Sequence, residues 1–494
     1  MRGAKANRRS VLLEDKITVD MHREHATLRF LIAFMLMVSF ASAQGITYVV
    51  LWFDTEDYIE PASDDAALRI AADLTQMGVH ATFKVVGEKA RTLERRGRTD
   101  VIQALSKHCI GYHSNWHSIQ PVPAVYEQRL GFLEGAEEFE RREHGGFEDV
   151  RRIFGKTPVC YGQPGSSWAP QANLALRRMG IHVYLDSGTQ VGLRDQPMWY
   201  GGLLYIYNMG PYQIRAELDH KTPIAQTFHE FDAAVHHFAE SGGGVISTYY
   251  HPTEFVTTEF WDAVNFANGA TAERDRWVRP KRRSSHETER CYQILHSYVE
   301  HAKHTPGVRF VTAEDLLRLY SNPAKPQISS ATLARHFQRG INFISTDSGD
   351  LSAADILLQL LGLPAEYVDG PTHRGVTTYT GSSVPNPMFE RAIEDAKSFI
   401  TANHRLPSEV FLGSRTLSLA DFAATLAAHV LSPGEVRMAH GKLDFEQFVS
   451  SDPVGSFKWP IHPAGFSAPE LLELARLQAW TLKPARLRPA TGKQ

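Results

Sequence analysis

The stretch His80–His117, HATFKVVGEKARTLERRGRTDVIQALSKHCIGYHSNWH, decides the fold class. HATFKVVG (His80–Gly87) is apolar and strand-like, Thr99–Lys107 carries apolar residues at helical spacing, and CIGYH (Cys109–His113) is strand-like again. The same alternation extends in both directions. Upstream, ITYVVLWF (Ile46–Phe53) reads as a fully buried strand, and the helix Asp65–Met77 stops at Gly78. Downstream, PVCYG (Pro158–Gly162), IHVYLD (Ile181–Asp186), GVISTYYH (Gly244–His251) and VRFVT (Val308–Thr312) read as strands. Helices are expected at Asn173–Met179, ending at Gly180, and at Ala313–Tyr320. Strands alternating with helices imply an α/β fold with a parallel sheet and helices outside it. On this pattern alone, a barrel and an open doubly wound sheet both fit.

At 494 residues the chain is long for one domain, so two folded units are expected. Apolar residues at 43 % and charged residues at 22 % describe ordinary globular material. With 52 Lys+Arg against 55 Asp+Glu there is no overall basic field, and no nucleic-acid partner is expected. The cluster Arg279, Lys281, Arg282, Arg283 reads as a solvated loop. At the N-terminus, Arg23 and Arg29 precede the uncharged run FLIAFMLMVSF (Phe30–Phe40), followed by Ala41-Ser42-Ala43-Gln44. That layout reads as a leader and secretory signal peptide over 1–43, cleaved near Ala43, with Met21 a natural start for it. The run is short for a span, which needs roughly 20 apolar residues. A secreted or cell-envelope protein with no stable membrane span is therefore expected. Cys109, Cys160 and Cys291 are too few for a disulfide framework and read as buried thiols.

In parallel α/β folds, chemistry collects where strands end at their carboxyl side. Here the first strand ends in Phe53-Asp54-Thr55-Glu56-Asp57, the third in His113-Ser114-Asn115-Trp116-His117, and a late one in His251. A pair of histidines at i and i+4 is weak by itself in a chain with 23 histidines. Its position directly after a strand, two elements beyond a strand ending in carboxylates, gives it weight. Two imidazoles and a carboxylate from a nearby strand make a facial set with positions left for water. A closed structural zinc site, which usually draws on cysteine, is not suggested.

ATFKVVGEKA…VIQALSKHCIGYHSNWH resembles the signature of the polysaccharide deacetylase (NodB-homology) family, an ATFF-type strand, a helix and then G-H-x-x-H. FDTED resembles that family's first motif, YGQPGSSWAP and LRRMGIHVYLD its third and fourth, and the strand ending at His251 its fifth. Order and spacing agree over roughly 46–320. The resemblance implies a distorted (β/α) barrel and a hydrolase of C–N bonds in non-peptide amides, removing N-acetyl groups from a polysaccharide or cell-wall glycan. It implies a divalent metal, zinc foremost, held by His113, His117 and either Glu56 or Asp57. Asp54 resembles the general base and His251 the general acid. Asp186 matches the fourth-motif acid. Alternation along a strand favours Glu56 over Asp57, since i and i+2 share a face. Backbone N–H groups around Gly165, Ser166 and Ser167 are expected to hold an oxyanion. Trp116 and Trp168 are candidates for stacking on a sugar ring.

One departure stands out. The arginine that usually pairs with the catalytic aspartate in the third motif is replaced here by Gly162 or Gln163. Losing that cation is expected to disfavour the ionised base, unless Arg215 or another arginine substitutes.

SNPAKPQISS (Ser321–Ser330) reads as a linker to a smaller, mostly helical domain over 331–494. Within it, Ala392–Leu431 resembles a pseudomurein-binding-type repeat, with a helix, N-x-x-LP, a short strand or turn, and a helix. That implies a cell-wall-binding module; the other reading is a small helical domain packed on the barrel. The echo between Leu351–Leu361 and Leu417–Ala427 is expected from two helices with similar N-caps. A binding protein of the same fold that lost turnover, or an amidohydrolase of a non-sugar amide, are the competing readings.

Overall fold

The computed structural model describes residues 45–219, 222–320 and 325–488; the leader and signal region, the start of the 321–330 linker and the last residues lie outside these. The expected parallel α/β sheet is present. Its strands are β1 (Thr47–Thr55), β2 (Thr82–Val85), β3 (Cys109–Tyr112), β4 (Cys160–Tyr161), β5 (Val183–Leu185), β6 (Met198–Tyr200), β7 (Leu203–Ile206), β8 (Gly244–Tyr250) and β9 (Val308–Val311). Parallel ladders link β8–β1–β2–β3–β4–β5–β7 in that spatial order. One edge of β1 pairs in succession with β9, over Thr47–Val50, and with β2, over Trp52–Thr55. The sheet curls as a barrel does but stays open, because antiparallel β6 follows β7 and no ladder among the described residues returns to β8.

Period-2 alternation along β1 separates two apolar clusters. Val49, Leu51 and Phe53 join the cluster with Ile70 and Leu74 of the helix Ala62–Gln76. Val50 and Trp52 join Val183, Leu185, Leu204 and Ile206 on the other face. Asp54 continues the second row, so the strand that builds this inner cluster also delivers a carboxylate above it. Cys109, Cys160 and Cys291 are all free thiols, although β3 and β4 are neighbours.

The C-terminal region is less separate than its helical pattern implies. It holds helices Ser330–Arg339, Ala353–Leu360, Asn386–Asn403, Leu419–Leu431 and Pro469–Gln478. It also holds three small antiparallel pairs: β10 (Ile344–Thr346) with β11 (Gly349–Leu351), β12 (Ser383–Val384) with β15 (Val436–Arg437), and β13 (Glu409–Leu412) with β14 (Arg415–Ser418). The echoing helices both carry a serine N-cap. Ser352 Oγ accepts from the Asp355 N–H, and Ser418 Oγ accepts from the Asp421 N–H, each cap typically worth ~1 kcal/mol. The last strand, β16 (Lys483–Pro484), then pairs with β6 and extends the main sheet. The chain thus returns to the barrel after leaving it.

Candidate metal and acid–base site

The carboxyl ends of β1, β3, β4, β5 and β8 meet on one rim, and the sequence candidates converge there. Glu56 Oε2 lies 3.0 Å from His113 Nε2 and 2.8 Å from His117 Nε2. Each group is held from behind. Trp261 Nε1 donates to Glu56 Oε1 at 2.9 Å, His113 Nδ1 lies 3.0 Å from the Gly162 carbonyl, and His117 Nδ1 lies 2.6 Å from Ser118 Oγ.

These contacts test whether the three residues suit a cation. A carbonyl only accepts, so His113 Nδ1–H donates to Gly162 and Nε2 is the ring atom turned towards Glu56. His117 Nε2 is buried without a hydrogen bond and faces the same oxygen. Lone-pair atoms that close repel unless a proton or a metal ion lies among them. Backbone and indole partners in the outer layer are also what orients metal ligands. The donor set therefore fits a divalent metal with N/O ligation.

Without a cation between them, the acid and the imidazoles stabilise one another's charged forms. Burial alone would raise Glu56, but His117, His251 and His113 more than offset it and hold the carboxyl well below the ordinary carboxylate range. Burial alone would lower His117, and Glu56 more than offsets that, so the imidazole is raised.

The two histidines are not on a helix. The turn Ser114–His117 has left-handed backbone at both ends, φ 65° at Ser114 and 57° at His117. Such non-glycine conformations cost of order 1–3 kcal/mol each and persist where the surroundings dictate them. Here Gly87 N and Glu88 N donate to the Ser114 and Asn115 carbonyls, and Asn115 N donates to Glu143 Oε2 at 2.7 Å.

Asp57 is not part of the cation site. Its Oδ1 accepts from the N–H groups of Ile59 and Glu60, and its Oδ2 accepts from Thr253 Oγ1. That carboxylate shapes the turn after β1, which leaves Glu56 as the acidic ligand candidate.

Asp54 stands beside the histidines, its Oδ1 3.6 Å from His113 Nδ1 and its Oδ2 3.6 Å from His251 Nε2. The cation missing from the third motif arrives from β2. Lys84 Nζ lies 2.9 Å from Asp54 Oδ1 and 2.7 Å from Asp186 Oδ2, and its side chain is 0 % exposed. It also sits 4.1 Å over the Trp52 ring, a cation–π contact. Burial alone would lower Lys84; Asp186 and Asp54 more than offset it and raise the ammonium. Burial pushes Asp186 up to about 6 despite Lys84.

Gly162 makes this possible. A Cβ there would lie 2.0 Å from Lys84 Nζ and 2.1 Å from Asp186 Oδ2. A lysine in one strand and a side-chain-free position in another are thus two halves of one arrangement. Arg215 does not fill this role: it pairs with Glu254 instead.

Glu254 in turn holds His251 through Nδ1, so Arg215, Glu254 and His251 form a line ending at Asp54. Burial lowers His251, but Glu56, Glu254 and Asp54 outweigh it and lift the imidazole to about 9. A bound cation would offset the pull of Glu56 and leave Glu254 as the principal partner. A general acid must be protonated, so if His251 serves as one, activity should fall as pH rises through its pKa. In Glu254→Gln that alkaline limb should move to lower pH by at least about one unit. A pH–kcat/KM profile checks this, and an unmoved limb would remove Glu254 from the acid's support.

The remaining candidates divide. Trp168 is 0 % exposed in the core and cannot stack on a sugar. Trp116 is 37 % exposed, flanked by the guanidinium groups of Arg91 and Arg274, and lines a cavity of about 670 Å³ that His117 also borders. The Gly165–Ser167 loop, expected to supply oxyanion donors, is covered: the Trp459 ring lies against Gly165, and Trp459 N donates to Ser166 Oγ at 3.0 Å. Ser167 N–H is used within the loop by the Pro164 carbonyl. Lys84 escaped the motif reading although a lysine inside HATFKVVG interrupts an apolar strand; Glu254 and Trp459 left no comparable signal.

No protein-family model and no curated protein matches the sequence. Among solved structures, the chain is similar to one assigned as a polysaccharide deacetylase from Mycobacterium smegmatis, at 15 % identity and TM-score 0.36 over 58 % of this chain and 96 % of that one. It is also similar to a CE4 family pseudoenzyme from Bacillus anthracis, at 11 % identity and TM-score 0.30 over 55 % and 65 %. A Puue allantoinase aligns at 13 % identity and TM-score 0.36 over 56 % and 91 %. At these TM-scores the functional reading rests on the site's own residues.

Proposed function

We propose that the chain is a metal-dependent amide hydrolase that removes an N-acetyl group from an amino sugar. One observation carries this reading: Glu56, His113 and His117 turn three lone-pair atoms onto one point, with Asp54 and His251 alongside. A divalent metal such as zinc, when bound there, polarises an acyl oxygen and lowers the pKa of water from about 15.7 towards ~7. Asp54 accepts the proton of the attacking water at Oδ2, the oxygen not engaged by Lys84. His251 donates from Nε2 to the departing amine, which is too basic to leave as an anion. Lys84 and Asp186 fix the carboxylate, and Glu254 with Arg215 fixes the imidazole. The buried Lys84 ion pair favours turnover over the reading of a fold that only binds.

Release from the cell and binding of a cell wall by residues 392–431 belong to the same proposal. The helix, Leu406-Pro407, β13–β14 hairpin and helix order of that segment is compatible with the repeat it resembles.

The test is acetate release from N-acetylglucosamine oligomers and peptidoglycan by the purified protein, with and without zinc. Zinc-dependent release abolished by EDTA is expected; none from any glycan, with zinc bound one per chain, would refute deacetylation. His113→Ala and His117→Ala should each lose stoichiometric zinc in a metal assay, and unchanged zinc content would dismiss them as ligands.

A further inference from the structure

The rim that carries the site is crossed by a segment from the far end of the chain. Gln190 Nε2 donates to the Ser456 carbonyl, and Trp459 N donates to Ser166 Oγ at 3.0 Å. Trp459 Nε1 donates to Asp262 Oδ2 at 2.7 Å, Asn268 N to the Pro460 carbonyl at 2.8 Å, and Gln120 Nε2 to the Ile461 carbonyl at 2.6 Å. These partners lie on the loops after β3, β4, β5 and β8, the same strands that deliver the site. Ile461 is fully buried with Tyr58, Val122, Trp261 and Phe266, so the strap is set into the rim rather than laid over it.

Trp459 is its point of closest approach. Its indole lies so near Gly165 that a Cβ there would be 2.2 Å from Trp459 Cδ1. Its ring meets Phe260 edge-on at 5.5 Å, and Phe260 meets His251 edge-on at 4.8 Å. Trp459 and His251 border one cavity of about 270 Å³. On the other side, the Asp262 that Trp459 engages is next to Trp261, whose indole holds Glu56.

We infer that Trp459 is a specificity-determining residue, and that the strap it anchors restricts the site to compact N-acylated molecules rather than the middle of a polymer. An enzyme that acts within a chain needs a groove open on both sides of the reacting bond. Here the side beyond His251 is walled by Trp459 and Phe260, where the cavity they border is only about 270 Å³, while the larger cavity of about 670 Å³ opens on the His117 side alone. This inference rests on the amide-hydrolase reading of the same site.

The experiment measures binding rather than turnover. Zinc-loaded protein is titrated by calorimetry with acetohydroxamate and with a hydroxamate attached at mid-chain of an N-acetylglucosamine hexamer. The wild type should bind acetohydroxamate and bind the hexamer probe at least tenfold more weakly. Trp459→Ala should close that gap by raising affinity for the hexamer probe, with its melting curve and zinc content showing that the variant is folded and loaded. Gln120→Ala, which frees the strap at Ile461, should shift the ratio in the same direction. Equal binding of both probes by the wild type, or a gap that persists in Trp459→Ala, would overturn the inference. Absence of acetate release from every glycan, with this binding pattern intact, would instead reject deacetylation alone.

Discussion

Asp54→Asn should lower acetate release by roughly 10²–10⁴-fold, the usual worth of general acid–base catalysis, while zinc remains bound at one per chain. The swap preserves shape and removes charge. The three atoms that meet at the cation site belong to Glu56, His113 and His117, so the metal set survives. Lys84 keeps Asp186 as its counterion, so the core loses one ion pair without stranding a buried charge. Turnover, zinc content and the melting curve together separate the possibilities. Turnover within tenfold of wild type would end the base assignment. Loss of zinc together with activity would instead make Asp54 a ligand.

Much of this site was legible because strand geometry dictates it. A strand alternates faces, so Asp54 and Glu56 were bound to share one, and residues just past a strand's carboxyl end must lie on the rim. Those two constraints located Asp54, Glu56, His113 and His251, the family resemblance added Asp186, and the structure brings all five together. They left Glu56 and Asp57 unresolved, since the choice depends on which carboxylate the next turn consumes. Asp57 is consumed by Ile59, Glu60 and Thr253, a contact set that no motif spells out. The motif pattern pointed to an arginine as the substitute cation, whereas the structure uses a lysine one strand away, opposite Asp54 in the β1–β2 register. Local periodicity also could not show β16 rejoining the sheet or Trp459 reaching the Gly165 loop, because both depend on pairings hundreds of residues apart in sequence. Trp168 was misplaced for a related reason: composition cannot separate a loop aromatic that faces substrate from one that turns into the core.

Lys84→Met should be the most damaging single change to both stability and activity. Methionine fills a similar volume but leaves Asp54 and Asp186 facing each other without a cation, in a place where the lysine side chain is 0 % exposed. Removing one partner of a buried ionic group typically costs about 3–5 kcal/mol, because the charge left behind is neither solvated nor paired. One of the two carboxyls must then take up a proton, and if Asp54 does so the base is lost. The double variant Lys84→Met/Asp186→Asn should therefore recover much of the lost stability, since only one carboxylate remains to be buried. It should recover less of the activity, because Asp54 still lacks its cation. That difference between denaturation midpoints and rates is the informative outcome. If Lys84→Met unfolds at the wild-type denaturant concentration and turns over normally, the ammonium is not what holds the base. Gly162→Ala supplies an independent check. Its new methyl group would lie 2.0 Å from Lys84 Nζ and 2.1 Å from Asp186 Oδ2 and push them apart, so it should reproduce a weaker form of the same defect while leaving the lysine in the sequence.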